Sequence, residues 1–306
     1  MSDMPFRDAA TEEAILDGTL LAVSGIGDLH PGLIRAMQEG EATYDVVRII
    51  RGVPVFWEDH LMRMDESVKK TANRDLQQIF GKEIYSRLRG MATQVAGMQP
   101  GAWNPGGDAG AGHCNVKFII TADPAHLMAY VSQSYYPSVQ EAEEGLPVDL
   151  FLHDRSIPSV KKLDLVYKQA VQERMQQLQV FELLLVNRDG YITEGSRSNV
   201  FFLLEDRIIT SPLYAVLPGI TRRYVLEACR NAGVKVEEKL LHRQGLGRAE
   251  AAFLSGTSIK VQPISRIGEI ILPSGQHPVV RRIRQEYDRL LQNYIEAWEQ
   301  AGSTGG

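Results

Sequence analysis

The stretch FELLLVNRDGYITEGSRSNVFFLL, from Phe181 to Leu204, constrains the fold of this chain more than any other segment. Its first run is apolar and stops at the NRDG sequence of residues 187–190, where an Asp-Gly pair supplies the positive-φ positions that a tight hairpin needs. A second apolar run, over Val200–Leu204, is expected to be the return strand. The predicted local structure is therefore strand, turn and strand.

Glu194 is a carboxylate set inside this hairpin. A glutamate in a strand is most often a solvated side chain on the open face of a sheet. The Gly195-Ser196 pair that follows is typical of a bulge or bend, and bulges often redirect a side chain toward a site. The hairpin alone leaves both interpretations of Glu194 open.

The composition is that of a globular protein long enough for two domains: of 306 residues, 44% are hydrophobic and 23% are charged. With 33 Lys and Arg against 38 Asp and Glu, the formal charge is −5. No basic field therefore attracts nucleic acid or an anionic membrane, and neither is an expected partner. A small molecule is the expected partner instead.

The cysteines, the histidines and the N-terminal sequence argue against several other classes. Cys114 and Cys229 are too few for a disulfide framework or a CxxC metal site, so a cytoplasmic location is expected. The seven histidines are scattered without close ligand spacing, so no metal site is expected. The N-terminus has no signal-peptide pattern, and no apolar run has the length of a membrane span, so export and membrane insertion are not expected.

The polar segment EAEEGLPV, at 141–148, is predicted to be a linker between two domains. Residues 1–145 are predicted to form a small α+β domain with an antiparallel sheet and a helix that begins near Trp57. Residues 146–300 are predicted to form the larger domain, and residues 301–306 a disordered tail. The Gly-rich segment 101–112 is either a mobile connector, the more common case, or a lid near a pocket.

Within the larger domain, a helix is expected from about Lys162 to Leu178. Another is expected with Thr221 as its N-cap and Gly233 as its C-cap. The last helix carries a broad apolar stripe, which predicts packing against a core or an interface.

Three segments have the chemistry of an anion-binding site. The sequence PGIT, at 218–221, opens a helix with unpaired N–H groups and a positive dipole end, and Gly219 allows a ligand to approach the backbone. The turn SGTS, at 255–258, offers hydroxyl and N–H groups to phosphate or carboxylate oxygens. Arg63 is a third donor. Each has an ordinary explanation as a cap, a loop or a surface arginine, but the three together favour an anion site.

Lys161 and Lys162 lie between a predicted strand and a predicted helix. An amine in such a place can be desolvated, which suits a lysine that forms a Schiff base. Most Lys-Lys pairs are simply solvated, so this pair gains significance only from the segments around it.

Taken in order, YDVVR, DHLMRM, VKKLD, YITEGSRSNVFF, LPGITR and FLSGTS resemble the motifs of the class IV, or fold-type IV, aminotransferases, which use pyridoxal 5'-phosphate (PLP). This family includes branched-chain aminotransferases, D-amino-acid aminotransferases and aminodeoxychorismate lyases. The resemblance covers about Thr43 to Ile264. It implies a two-domain α+β and α/β fold, with residues 146–300 as the PLP-binding domain, the cofactor in the cleft between the domains, and a homodimer.

The resemblance also implies a role for each matched residue. Lys161 stands where the family has its Schiff-base lysine, with Lys162 as the alternative, and Glu194 would keep the pyridine nitrogen of the cofactor protonated. The other implied cofactor-binding residues are Arg63, Ser198, Asn199, Leu217, Gly219, Ile220, Thr221 and Thr257. The implied substrate-binding residues are Tyr44, Arg48, Lys117 and Ser258.

The function that this resemblance implies is PLP-dependent transamination between an amino acid, branched-chain or similar, and a 2-oxo acid. A D-amino-acid aminotransferase and an aminodeoxychorismate lyase stay open on the same scaffold. A catalytically inert protein that keeps the fold for binding is an alternative of another class, and the presence of both Lys161 and Glu194 argues against it.

Overall fold

The computed structural model describes residues 9–22, 29–97, 113–154 and 158–303. The strands are β1 (Ala9–Leu16), β2 (Thr19–Ala22), β3 (Thr43–Ile50), β4 (Val53–Pro54), β5 (His113–Ala122), β6 (Ala125–Ser132), β7 (Leu146–Leu152), β8 (Glu182–Val186), β9 (Tyr191–Gly195), β10 (Asn199–Leu204), β11 (Arg207–Thr210), β12 (Lys235–Glu238), β13 (Leu241–His242), β14 (Ala251–Gly256), β15 (Lys260–Ile267) and β16 (Ile270–Ile271). The α-helices are α1 (Pro31–Gln38), α2 (Trp57–Ala72), α3 (Leu76–Phe80), α4 (Ile84–Gly97), α5 (Val139–Glu144), α6 (Leu165–Leu178), α7 (Ile220–Asn231) and α8 (Pro278–Ser303).

The first sheet has six antiparallel strands in the order β2-β1-β6-β5-β3-β4. Buried and half-buried residues alternate along β3, as expected for a strand with one face against a core. The buried face packs against apolar residues of α2 and α4, including Met64 and Leu88. The predicted α+β arrangement with an antiparallel sheet and a helix from Trp57 is confirmed.

The second sheet has ten strands and is mixed. Its order is β12-β11-β10-β14-β15-β7-β8-β9-β13, with β16 paired to β15, and the pairs β11–β12, β15–β7 and β7–β8 are parallel. Phe201 and Phe253 stack inside a core to which α7 and α8 contribute, and α8 buries Val280, Ile283 and Tyr287 there. The apolar stripe of the last helix therefore packs as predicted.

A hairpin is present as β8 and β9, joined by residues 187–190, but its return strand is Tyr191–Gly195. The predicted return strand, Val200–Leu204, is instead part of β10, which pairs with β11 and β14. The register of the hairpin shifts by one residue between the pairs Val186–Ile192 and Leu184–Gly195, which places a bulge beside Glu194. The sequence prediction of a bend at this point is confirmed.

The segment 141–148, predicted to be a linker, contains regular structure. Glu141 to Glu144 belong to α5, where Ser138 and Glu141 form a capping box, and β7 begins at Leu146. The polar residues are those of a short helix on the surface, which explains why they read as a linker. The first sheet ends at Ser132 and the second begins at Leu146, and on this basis we propose the domain boundary at 145/146.

Two predicted helix ends also differ. α6 begins at Leu165 rather than near Lys162, because the Asp164 side chain caps it by accepting the N–H of Tyr167 at 2.8 Å. α7 has Gly219 rather than Thr221 as its N-cap, and its C-cap is Ala232, one residue before Gly233.

The last helix extends into the predicted tail. α8 continues to Ser303, so the tail predicted from residue 301 is helical at its start, and residues 304–306 lie outside the described residues. The segment 101–112, with its connector and lid interpretations, also lies outside them. Across the described ranges, no helix is both long and apolar enough to cross a bilayer, and no group of three or more His, Cys, Asp or Glu side chains is arranged to hold a metal.

Candidate active site

A cavity of about 1450 Å³ lies where the two sheets meet. The first sheet contributes Tyr44 from β3 and Lys117 from β5, and the second contributes Glu194 from β9 and Asn199 from β10. The predicted residues that line this cavity are Tyr44, Arg63, Lys117, Lys161, Lys162, Glu194, Ser198, Asn199, Leu217, Gly219, Ile220, Thr221 and Thr257. Segments more than 200 residues apart in sequence, from β3 to the turn after β14, therefore meet at one place.

Arg48 and Ser258 are not among the residues that line the cavity, and their substrate-binding roles stay predictions. The Arg48 guanidinium donates to the Ser258 carbonyl oxygen at 2.9 Å and lies 4.9 Å from the ring centroid of Tyr136. Arg48 shares a strand face with Tyr44, but four residues along a strand span about 13 Å. It therefore lies beyond the cavity and connects β3 to the β14–β15 turn.

The backbone around Lys161 pairs with β3. The N–H of Tyr44 donates to the Lys161 carbonyl and the N–H of Leu163 donates to the Ala42 carbonyl, both at 2.9 Å, so Lys162 lies opposite Thr43 in an antiparallel bridge. Opposed residues share a face and neighbours alternate, which directs Lys161 to the face of Tyr44. Its Nζ lies 4.7 Å from the centroid of the Tyr44 ring. This register favours Lys161 over Lys162 as the lysine that faces the centre of the cavity.

Glu194 is buried, with 2% of its surface exposed, so the interpretation as a solvated strand residue is wrong. Its carboxylate accepts the N–H of Leu217 at 3.0 Å and the Nδ2 amide of Asn199 at 3.4 Å. Asn199 also donates to the Leu217 carbonyl at 3.1 Å. A buried carboxylate needs such donors to offset its lost hydration, and here they fix its direction as well.

Glu182, which was not predicted to be a site residue, binds the turn that follows Glu194. It is buried and accepts hydrogen bonds from the hydroxyls of Ser196 and Ser198 and from the N–H of Arg197, so it holds the turn that follows Glu194. The sequence signal for it was a single carboxylate in the apolar strand FELLLV. A charge in an otherwise fully buried strand has to be paired, and the hydroxyl-rich turn is its partner.

Arg63 is also buried rather than on the surface. Its Nε and Nη2 donate to the two carboxylate oxygens of Asp45 at 2.8 and 2.7 Å, and the Nδ1 of His60 lies 2.8 Å from Asp45. Bidentate pairing of this kind fixes the plane of the guanidinium. Asp45 and His60 were not predicted to belong to the site. In the motifs YDVVR and DHLMRM, roles were assigned only to Tyr44, Arg48 and Arg63.

The ionisation of this buried group follows from its contacts. Burial would raise the pKa of Asp45, but the Arg63 guanidinium and the His60 ring outweigh it, and the pKa of this carboxyl lies well below its ordinary range. Burial lowers the pKa of His60 more strongly than Asp45 raises it. At neutral pH the group therefore consists of an ionised Asp45, a cationic Arg63 and a neutral His60.

Acidification is expected to destabilise the protein through His60. Below about pH 6.5 the unfolded chain binds a proton on this ring, whereas the lowered pKa keeps the ring neutral in the folded protein. The contribution of neutral His60 to the free energy of unfolding is therefore complete above that pH and decreases below it. One such proton gives a slope of up to about 1.4 kcal/mol per pH unit. His60→Gln should reduce the fall in melting temperature between pH 7 and 5, and an unchanged slope in the variant would contradict this assignment. Asp45 adds a further loss below about pH 4.

The start of α7 forms the far end of the cavity. Gly219, its N-cap, has no side chain to cap the helix, which leaves the N–H groups of the first turn directed at the cavity beside Thr257. Ser255 Oγ lines the same end and is buried with no hydrogen-bond partner among the described residues. Buried donors of this kind suit the oxygens of an anion.

Residues 42–267 match the family model of amino-transferase class IV. The chain belongs to this family. The D-alanine aminotransferase of Bacillus licheniformis is 27% identical over 265 residues, which cover 85% of this chain and 90% of that protein. The family assignment suggested by the sequence motifs is therefore confirmed.

Solved structures share the fold of this class IV aminotransferase. The branched-chain amino acid aminotransferase of Escherichia coli has a TM-score of 0.73 at 19% identity and covers 92% of this chain and 95% of its own. A hypothetical aminotransferase from Mycobacterium tuberculosis, in its PLP-bound form, has a TM-score of 0.72 at 16% identity over 91% and 98% of the two chains. At these identities the similarity shows the fold, which confirms the fold-type IV prediction.

Class IV aminotransferases are PLP-dependent enzymes. The cavity of this chain fits that cofactor by its own chemistry: an amine at Lys161, a buried carboxylate at Glu194, and an anion cradle at the start of α7 all line it. Gly219 fits as well, because a Cβ atom there would lie 2.1 Å from Asn199 Oδ1. Only a residue without a side chain leaves both the cradle and Asn199 in place.

Gly219→Ala is therefore expected to weaken PLP binding by about tenfold or more, since the new methyl group must displace an Asn199 that two hydrogen bonds hold. A titration of the variant with PLP, followed by absorbance, measures the change. Gly247→Ala is the matched control, because a Cβ there meets nothing within 4 Å. Equal PLP affinity in Gly219→Ala and the control would contradict the predicted cradle.

Proposed function

We propose that this enzyme transfers an amino group between an amino acid and a 2-oxo acid, with Lys161 as its Schiff-base lysine. The observation that supports this best is the pair of Lys161 and Glu194, which line one cavity with the start of α7. An inert binding protein would have no need to keep an amine beside a buried carboxylate.

When bound, PLP supplies an electron sink for the carbanion at the substrate Cα. In this proposal Glu194 holds a proton at the pyridine nitrogen, which keeps the ring cationic. Arg63 and the N–H groups of Ile220 and Thr221 bind the phosphate oxygens together with the Thr257 hydroxyl. Leu217 packs on the ring face, while Ser198 and Asn199 line its edge.

Lys161 has the second chemical task, which is to take the proton from the substrate Cα. Tyr44 and Lys117 are the substrate-facing side chains in this proposal, since both line the cavity beside Lys161. The branched-chain donor expected from the motifs and the D-amino-acid alternative both stay predictions. A cytoplasmic homodimer also stays a proposal, which sedimentation and cell fractionation would test.

The visible spectrum of the purified protein tests the proposal directly. With PLP added, a long-wavelength band from the lysine-bound cofactor is expected, and L-leucine, L-glutamate, D-alanine and D-glutamate are then added one at a time. Conversion of the band to the shorter-wavelength band of the aminated cofactor supports transamination and identifies the hand of the donor. If no amino acid changes the band and the protein releases pyruvate from an aminodeoxychorismate substrate, the protein is the lyase and the proposed transaminase activity is wrong. Absence of any band would contradict the assignment of Lys161.

A further inference from the structure

Arg222 is a buried arginine in the first turn of α7. It is the third residue of this helix, and 3% of its surface is exposed. Burial of a charge costs free energy, and a cation near a helix N-terminus opposes the positive end of the helix dipole. A residue placed against both rules is often one that serves a function rather than stability alone.

The Arg222 guanidinium connects the first turn of α7 to the second sheet. Its Nη2 donates to the carbonyl oxygen of Ser211, the residue after β11, at 2.9 Å. The same nitrogen donates to the carboxylate of Glu238 on β12 at 2.8 Å. The Ser211 hydroxyl in turn donates to the carbonyl oxygen of Ile192 on β9 at 3.1 Å, two residues before Glu194. One side chain therefore joins the start of α7 to the strand that carries the buried carboxylate.

The positive charge of Arg222 is only partly balanced. Glu238 pairs with it, but the Glu238 side chain is 44% exposed, so water screens that carboxylate more than it screens the buried guanidinium. Nε of Arg222 is buried and has no hydrogen-bond partner within the described part of the chain. Positive charge is therefore expected to remain beside the first turn of α7.

Arg222 is not among the residues that line the cavity, although the three residues before it are. A Cβ atom at Gly219 would lie 3.3 Å from the Cβ atom of Arg222, so the arginine packs directly against the N-cap. The N–H of Arg223 donates to the Gly219 carbonyl at 3.0 Å, which leaves the N–H groups of Ile220 and Thr221 for an anion. A guanidinium held behind these donors fixes their direction and adds to their positive potential.

We propose that Arg222 is a positioning residue for the cofactor phosphate, on which it acts through the first turn of α7 without contacting it. This rests on the proposed function, in which the N–H groups of Ile220 and Thr221 bind the phosphate oxygens. The bond to Ser211 holds these donors in place, and the guanidinium charge acts in a region that water screens poorly. The buried Ser255 hydroxyl, which lines the same end of the cavity, is an independent indication of an anion there.

The test measures, by absorbance, the dissociation constants of the full-length protein for PLP and for pyridoxal, which lacks the phosphate. The wild type is expected to bind PLP more tightly than pyridoxal. Arg222→Met removes the charge and the donors, and it should weaken PLP binding by about 10-fold or more while pyridoxal affinity changes less than about threefold. Arg222→Lys keeps the charge at a shorter reach and should give a smaller loss that is also confined to PLP. Arg230→Met, an exposed arginine in the last turn of α7, is the control and should match the wild type.

The comparison with pyridoxal separates this role from a merely structural one and from the proposed function. Equal losses of PLP and pyridoxal affinity would show that Arg222 only maintains the fold, and unchanged PLP affinity in Arg222→Met would show that it has no role at the phosphate; either result overturns the inference. If the melting curve shows that Arg222→Met is unfolded, Arg222→Lys decides by the same criteria. A wild type that binds PLP no more tightly than pyridoxal would instead contradict the phosphate-binding part of the proposed function, and the inference with it.

Discussion

Lys161→Ala is expected to lower the rate of transamination by about 10³-fold or more, because the variant loses both the amine that binds the cofactor and the base that moves the Cα proton. Lys162→Ala should keep most of the activity, since the bridge between residue 162 and Thr43 directs Lys162 away from the face of Tyr44. Steady-state kcat and the long-wavelength band of the bound cofactor measure the two effects independently.

Lys161 and Lys162 form a matched pair of variants, because they are adjacent and carry the same side chain. Melting temperatures within a few degrees of the wild type would show that both alanine variants are folded. An active Lys161→Ala beside an inactive Lys162→Ala would transfer the role to Lys162 and contradict the register argument. Two active variants would remove the proposed chemistry from this segment altogether.

Glu194→Gln is expected to slow the half-reaction with an amino donor by about 10²- to 10³-fold while PLP affinity falls much less. The amide can still accept the Leu217 N–H, so the turn keeps its shape, but it carries no charge to hold a proton on the ring nitrogen. Single-turnover rates and a PLP titration separate the two quantities.

Glu39→Gln is a suitable control for Glu194→Gln, because Glu39 also lines the cavity but is exposed and contacts Arg35. It should leave the single-turnover rate nearly unchanged. A loss in Glu194→Gln that appeared only in PLP affinity, with the rate of the bound enzyme intact, would show that Glu194 binds the cofactor without activating it.

The parts of the site that were predictable from sequence are those that depend on neighbouring residues. The hairpin at 187–190, the bend after Glu194 and the inward face of the last helix follow from turn chemistry and from periods of 2 and 3.6 residues, and the structure confirms them. The helix within the predicted linker and the shifted helix ends are also local features, and they were not predicted because polar capping residues such as Ser138 and Asp164 resemble loop residues.

The contacts that were not predictable join residues distant in sequence. Asp45 and Arg63 are 18 residues apart, and Glu182 and Ser198 are 16 apart, and each pair forms only when a strand and a second element meet in a given register. The distance between Arg48 and the cavity also depends on register, because Tyr44 and Arg48 share a face but not a position along β3.

The sequence by itself determined the family, its PLP dependence and most of the local structure, because the motifs are contiguous and backbone geometry makes their spacing informative. The tertiary structure decided which of the adjacent residues Lys161 and Lys162 faces Tyr44. It also buried Arg63 against Asp45, and it brought Lys168 of α6 and Lys117 of β5 to the same aromatic ring. These contacts depend on how two sheets and a helix pack around one cavity, and no period along the chain encodes that arrangement.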